Sequence, residues 1–314
     1  MIYSKKVLVA FFCFFCLGFI PSSVYSENSA NSSRSFAINF TTRKDIQFKI
    51  TQSFWFPLLA GNGVLTEGNN LRMNFSADIS PVSVNGTAEI VFTPIAFLQF
   101  IAGGSVGSGW NIPIANGLRI NKPGRNTDGS LDGSNNLIGN TFEGLVLTVK
   151  GGAVFQFDFA AIKPGIWNHV VFRGYQEFRY RTLTTASKDD SWVFENSVGE
   201  DRNGWTYYGN YMLGYLPPLK LSLVGILVEQ EKSLYGAENG RSWGDDLSRW
   251  RIALLAAFTF NPSVSMAGLL QFRTQRNYLG DSGDYDYYQL RKINRDNPYY
   301  LEFYRIGATI VFAL

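Results

Sequence analysis

The chain has 314 residues, 28 basic and 25 acidic, with a net charge of +3 when its single histidine is neutral. Mean hydropathy is −0.04, yet 16% of the residues are aromatic and 31 are glycine. So near-balanced a charge gives no reason to expect a nucleic-acid partner. The length suits one large domain.

The N-terminus reads as a secretory signal over 1–26. Lys5 and Lys6 form a basic n-region and Val7 to Ile20 an apolar core, and Pro21-Ser-Ser-Val-Tyr-Ser26 precedes a cut ahead of Glu27. The apolar run is shorter than the roughly 20 residues a membrane helix needs. Acylation at Cys16 fits less well, because Phe14 and Phe15 stand where small residues are expected. Cys13 and Cys16 both fall inside this segment, so the exported chain has no disulfide and draws its stability from elsewhere.

Segment 27–44 is rich in Ser and Asn and is expected to be a polar lead-in, with a short strand at Ser35–Phe40 as an option. From 45 to 314 the dominant signal is a period of two, which marks strands with two different faces. Ile46, Phe48 and Ile50 alternate with Gln47, Lys49 and Thr51. Leu71, Met73, Phe75, Ala77 and Ile79 alternate with Arg72, Asn74, Ser76, Asp78 and Ser80. Asn85-Gly86 predicts a two-residue hairpin turn, and Thr93-Pro94 is expected to break the strand that follows, since proline cannot donate to a ladder.

Further on, long polar connections alternate with short Pro-containing turns. Gly109 to Asn140, Thr182 to Gly204, Tyr235 to Ser248 and Leu279 to Pro298 are the long ones; Lys163-Pro-Gly165, Pro217-Pro218 and Asn261-Pro262 are the short ones. The last stretch, Tyr299 to Leu314, has its even positions, from Tyr304 onward, wholly apolar, against Arg305, Gly307 and Thr309 on the odd face. Average hydropathy with sustained alternation and length-sorted connections predicts an all-β fold, a transmembrane antiparallel β-barrel. The strand count is 12 if Ser35–Phe40 is a strand, and 10 if Leu71–Phe92 is a single one. A soluble exported all-β binding protein is the outside alternative.

Ile79-Ser-Pro-Val-Ser-Val-Asn85, Phe92-Thr-Pro-Ile-Ala-Phe-Leu-Gln-Phe100 and Gly107-Ser-Gly-Trp-Asn111 are similar to outer-membrane β-barrel proteins of spirochaetes such as treponemes. That resemblance implies an exported barrel in a bacterial outer membrane, with biochemistry mostly unassigned and no catalytic residues to carry over. Segment 299–314 also looks like the terminal signal that engages the barrel-assembly machinery, with Leu314 in place of an aromatic residue.

Taking the more polar face of each strand as the lumen collects Lys49, Arg72, Asp78, Glu89, Lys150, Asp158, Arg173, Glu177, Arg179, Arg181, Arg249, Arg251, Arg273 and Arg305, with Asp45 beside them. Basic rings select anions. These residues predict a small porin-like channel for hydrophilic solutes with a slight anion preference; a closed barrel filled by Arg–carboxylate pairs and displaying its loops for adhesion or anchoring is the alternative. No catalytic residue, cofactor or metal is expected. His169 stands alone beside a turn and reads as an interfacial polar residue, with no triad partner suggested by spacing. Asp128-Gly-Ser-Leu-Asp-Gly133 and Asp281-Ser-Gly-Asp-Tyr-Asp286 lack calcium-loop spacing and read as turns. Gly104 to Gly109 lacks the lysine of a phosphate loop. Trp205, Tyr207, Tyr208, Tyr211, Tyr215 and Trp250 are expected in interfacial girdles.

Overall fold

A computed structural model describes residues 31–43, 45–128, 131–139, 141–187, 190–195, 201–234, 244–279 and 292–314. The expected signal segment with Cys13 and Cys16, and the run Asp281–Asp286, lie outside the described residues. In chain order the strands are β1 (Ser32–Thr41), β2 (Ile46–Pro57), β3 (Asn70–Ile79), β4 (Ser83–Ile95), β5 (Leu98–Gly109), β6 (Asn111–Ile112), β7 (Ala115–Asn116), β8 (Leu118–Arg125) and β9 (Leu131–Ile138). They continue with β10 (Val146–Asp158), β11 (Val170–Leu183), β12 (Ser191–Phe194), β13 (Gly204–Tyr215), β14 (Leu221–Ser233), β15 (Arg249–Asn261), β16 (Val264–Arg276) and β17 (Tyr299–Ala313).

Twelve of these close into one antiparallel barrel in the order β1-β17-β16-β15-β14-β13-β11-β10-β5-β4-β3-β2. Closure satisfies every ladder and leaves no edge. The larger of the two expected counts is therefore correct, and the segment read as a lead-in supplies β1. Its pairing with the last strand runs from Ser35↔Ala313 to Thr41↔Gly307.

Alternation places an apolar coat outside. Ile46, Phe48, Ile50, Phe54 and Phe56 of β2 are exposed, as are Ile252, Leu254, Phe258 and Phe260 of β15. Cross-strand aromatic pairs reinforce that coat: Phe178 with Tyr207 and Tyr180 with Trp205, both at 5.5 Å between ring centroids. Tyr208 is the exception among the residues expected in girdles, since it points into the barrel. A continuous exposed apolar band on a closed barrel is what a bilayer requires.

Three local expectations are corrected. Asn85-Gly86 is not a turn: it lies within β4, and the chain reverses earlier, where Ser80 N–H donates to Ser83 O at 2.9 Å and the Ser80 and Ser83 hydroxyls meet at 2.7 Å. Pro94 does not end β4. The β4–β5 register shifts between Phe92 and Ile95, and this irregularity accommodates the missing N–H. Tyr304 does not share the outer face of Ile306, Ile310 and Phe312. Gln271 pairs with Arg305 while Phe272 pairs with Phe303, so Tyr304 is the extra residue of a bulge and turns inward.

The four long connections all leave one end of the barrel, and two of them fold over its mouth. β8 pairs with β9 and β12 in a small sheet, sealed by buried Leu118, Ile120, Val146, Leu183, Trp192 and Phe194. Arg202, Asp245 and Arg276, each fully or almost fully buried, tie the loops after β11 and β14 to β16.

Candidate functional site

The interior holds a cavity of about 770 Å³ that extends from Arg34 and Ala313 at one end to Arg249 and Glu195 at the other. Its lining contains thirteen basic side chains and eight carboxylates. Every residue read from the sequence as facing the lumen lines this cavity except Asp158. Asp158 lies where β10 hands over to a 3-10 turn (Phe159–Ala161), and its Oδ1 accepts from Ala160 N–H at 2.9 Å. Its Oδ2 shares a 2.7 Å hydrogen bond with His169 Nδ1. The need to cap that turn takes Asp158 out of the lumen, and gives His169 a partner that spacing did not suggest.

The charges are paired across neighbouring strands and across one intervening strand. Lys150 Nζ lies 2.7 Å from Glu89 and 3.7 Å from Glu177. Glu231 stands between Arg179 at 3.3 Å and Arg251 at 3.2 Å, and Arg273 bonds Glu302 at 2.5 Å. Arg305 Nε donates to Gln271 Oε1 at 2.9 Å, and Gln271 Nε2 donates to Glu229 Oε2 at 2.5 Å. Glu229, Glu231, Gln271 and Tyr304 were missed in the sequence. The first two extend the β14 alternation past its apolar run and were legible on that ground; Tyr304 was not, because the bulge depends on the partner strand.

Tyr304 gathers the cations. The guanidinium carbons of Arg273, Arg43, Arg305 and Arg251 lie 4.4, 5.0, 5.0 and 5.9 Å from its ring centroid. An electron-rich ring face lowers the mutual repulsion of such a group. Arg181 sits 5.0 Å from the Trp192 ring, beneath the loop sheet.

Below this charged tier the same wall becomes apolar. Met212, Leu223, Leu227, Ala253, Leu255 and Ala257 form a buried inward-facing cluster with Val171 and Ala267, and Leu269 packs against it. Beyond this cluster, from β17 through β1 and β2 to β3, Thr309, Asn39, Ser53 and Asn74 carry neutral hydrogen-bonding groups, with Thr309 Oγ1 donating to Asn39 Oδ1 at 2.7 Å.

Glu195, just past β12, reaches across the mouth to β4. Ser83 Oγ and Asn85 Nδ2 donate to its Oε1 at 2.7 and 2.6 Å. Burial holds its carboxyl above the usual range; those two hydrogen bonds pull the other way, and Asp78 adds to the rise. Gly107, which pairs with Asn85, leaves the room for this side chain: a Cβ there would collide with Asn85 Oδ1.

No family model and no curated protein matches the chain. Among solved structures it is similar to the KdgM porin, at 9% identity over 90% of this chain and 99% of that one, with a TM-score of 0.38. It is also similar to the NanC porin, at 6% identity over 91% and 100% with a TM-score of 0.39. The outer membrane protein Omp33 of Acinetobacter baumannii matches at 12% identity over 90% and 98%, with a TM-score of 0.34. The class of the chain, a closed twelve-strand antiparallel barrel, rests on its own strand pairing.

Proposed function

We propose that the protein is a bacterial outer-membrane barrel, exported through a cleaved N-terminal signal, that lets small hydrophilic solutes diffuse passively with a slight preference for anions. The apolar coat supports the location. The observation that carries the function is the excess of thirteen basic over eight acidic side chains along one continuous cavity. The proposal assigns no reaction and no cofactor to the chain; its partners are the surrounding lipid and, through 299–314, the barrel-assembly machinery.

Planar-bilayer conductance of the refolded protein under a salt gradient tests it. Discrete steps with an anion-directed reversal potential are expected, and Arg173→Glu combined with Arg251→Glu should move that potential toward cations. Cation-directed steps in the unsubstituted protein would remove the anion preference. Silence from protein shown to be folded by a heat-dependent gel shift favours the second reading, a closed barrel that displays its loops. The folded loop sheet and the Glu195 contact across the mouth support that second reading.

A further inference from the structure

We infer that the lumen contains a binding site for a small amphiphilic anion, a carboxylate carried on a short apolar body. The inference goes beyond the channel reading: it needs only that the lumen cavity be reachable by solute, and it concerns what the wall holds and not whether ions pass. The change from charged to apolar lining on β14, β15 and β16 is sharp and locked by register. Glu229, Arg251 and Arg273 stand side by side across the three strands. One inward-facing step lower the row is Leu227, Ala253 and Gln271, and the next is Gly225, Leu255 and Leu269.

Strand rise is about 3.4 Å per residue, so Leu269 lies roughly 14 Å along its strand from Arg273. The cavity touches both tiers: Arg273, Arg305 and Tyr304 above, and Leu227, Ala267 and Leu269 below. Leu269 retains partial exposure to that space, and Gly307, its partner on β17, brings no side chain against it. Most of the leucine and alanine wall beneath the arginines is packed against itself, and Leu269 is the part of it left open to the lumen. A small hydrophilic anion contacts the upper tier alone, and a neutral apolar solute the lower tier alone. A carboxylate with an aryl or short alkyl body occupies both, its oxygens toward Arg305 and Arg273 and its apolar part along Leu269.

Calorimetric titration of the full-length folded barrel, held in an amphipathic polymer, compares three probes: 3-phenylpropionate, acetate and 3-phenylpropanamide. Binding of 3-phenylpropionate at least tenfold tighter than either of the others is expected. Leu269→Gln should bring it down to the level of acetate, and Arg305→Gln to the level of the amide, with the heat-dependent gel shift retained in both. Equal binding of 3-phenylpropionate and acetate in the unsubstituted protein would overturn the apolar half of the site, and equal binding of acid and amide the charged half. Binding by a barrel that passes no current would sink the channel proposal and leave this one standing.

Discussion

The arc from β1 to β5 and the arc from β10 to β17 share one pleat and one ladder, yet they are built to different plans. In the first arc the connections at the loop end are short, residues 42–45 and 80–82, and the longest one, 58–69, lies at the opposite end. In the second arc the order is reversed: 184–203, 234–248 and 277–298 at the loop end, against 159–169, 216–220 and 262–263. The lumen follows the same division. The strands of the first arc present mostly Asn, Gln, Ser and Thr with Arg34, Lys49 and Arg72, while the second arc carries eight arginines from Arg173 to Arg305. The two arcs meet over the mouth, where Glu195 of the second bonds Ser83 and Asn85 of the first. The first arc is thus a plain wall, and the second supplies most of the charge and every long connection at the mouth except the one from β5 to β10, which joins the two arcs.

The contrast can be broken at several points. Asp245→Ala has the largest expected effect, because it removes the carboxylate between the buried guanidiniums of Arg202 and Arg276. A loss of about 3–5 kcal/mol from the loop clasp is expected, seen as protease cleavage in the loops after β11 and β14 with the barrel's gel shift unchanged. Leu254→Arg places a charge on the exposed coat of the second arc. It should cost about 2–4 kcal/mol in unfolding from lipid if the residue lies near the bilayer midplane, whereas in a soluble protein it should be nearly neutral. Gly107→Val pushes Asn85 out of place and should cost about 1–3 kcal/mol, exposing the 184–203 loop to protease.

The smallest effect, and the one that sharpens the comparison most, is the pH dependence of the Glu195 contact. Its folded carboxyl is raised above the unfolded one, so the fold binds a proton that the unfolded loop has released. Stability from this group is therefore complete below the ordinary carboxylate range and is lost as pH rises through the raised value. Proteolysis of the 184–203 loop should quicken with rising pH across that window. Glu195→Gln, which keeps the hydrogen-bonding geometry, should flatten the dependence; an unchanged profile in that variant would assign the pH effect to another group.

The barrel was legible because alternation is decided locally. Lys49, Arg72 and Arg251 could be placed from their own neighbours, since each sits between apolar residues at i−1 and i+1 that must face the coat. What escaped the sequence was decided elsewhere in the chain. The inward turn of Tyr304 comes from the register of β16, and the true β3–β4 reversal from a serine pair that outcompetes Asn85-Gly86. Asp158 alternates correctly but is claimed by a cap and by His169. The apolar lower lumen was hidden because Ala253, Leu255 and Ala257 lie between equally apolar outward residues, which leaves no contrast for a period of two to show. Glu195 meets its partners across 112 and 110 residues, beyond anything a local pattern records.

The seam between β1 and β17 has a kinetic consequence. Asn39 and Thr309 are 270 residues apart and bond directly, and all seven rungs of that ladder join the two extremes of the strand sequence. Ten of the twelve barrel strands can zip to their neighbours as they emerge, but the ring itself closes only when the last strand meets the first. Until then two bare strand edges face outward at once, ready to pair with any other extended chain. Formation of this seam should therefore be the slow, concentration-sensitive step of refolding, and anything that holds the first strand apart from the last should arrest the protein as an open, aggregation-prone sheet.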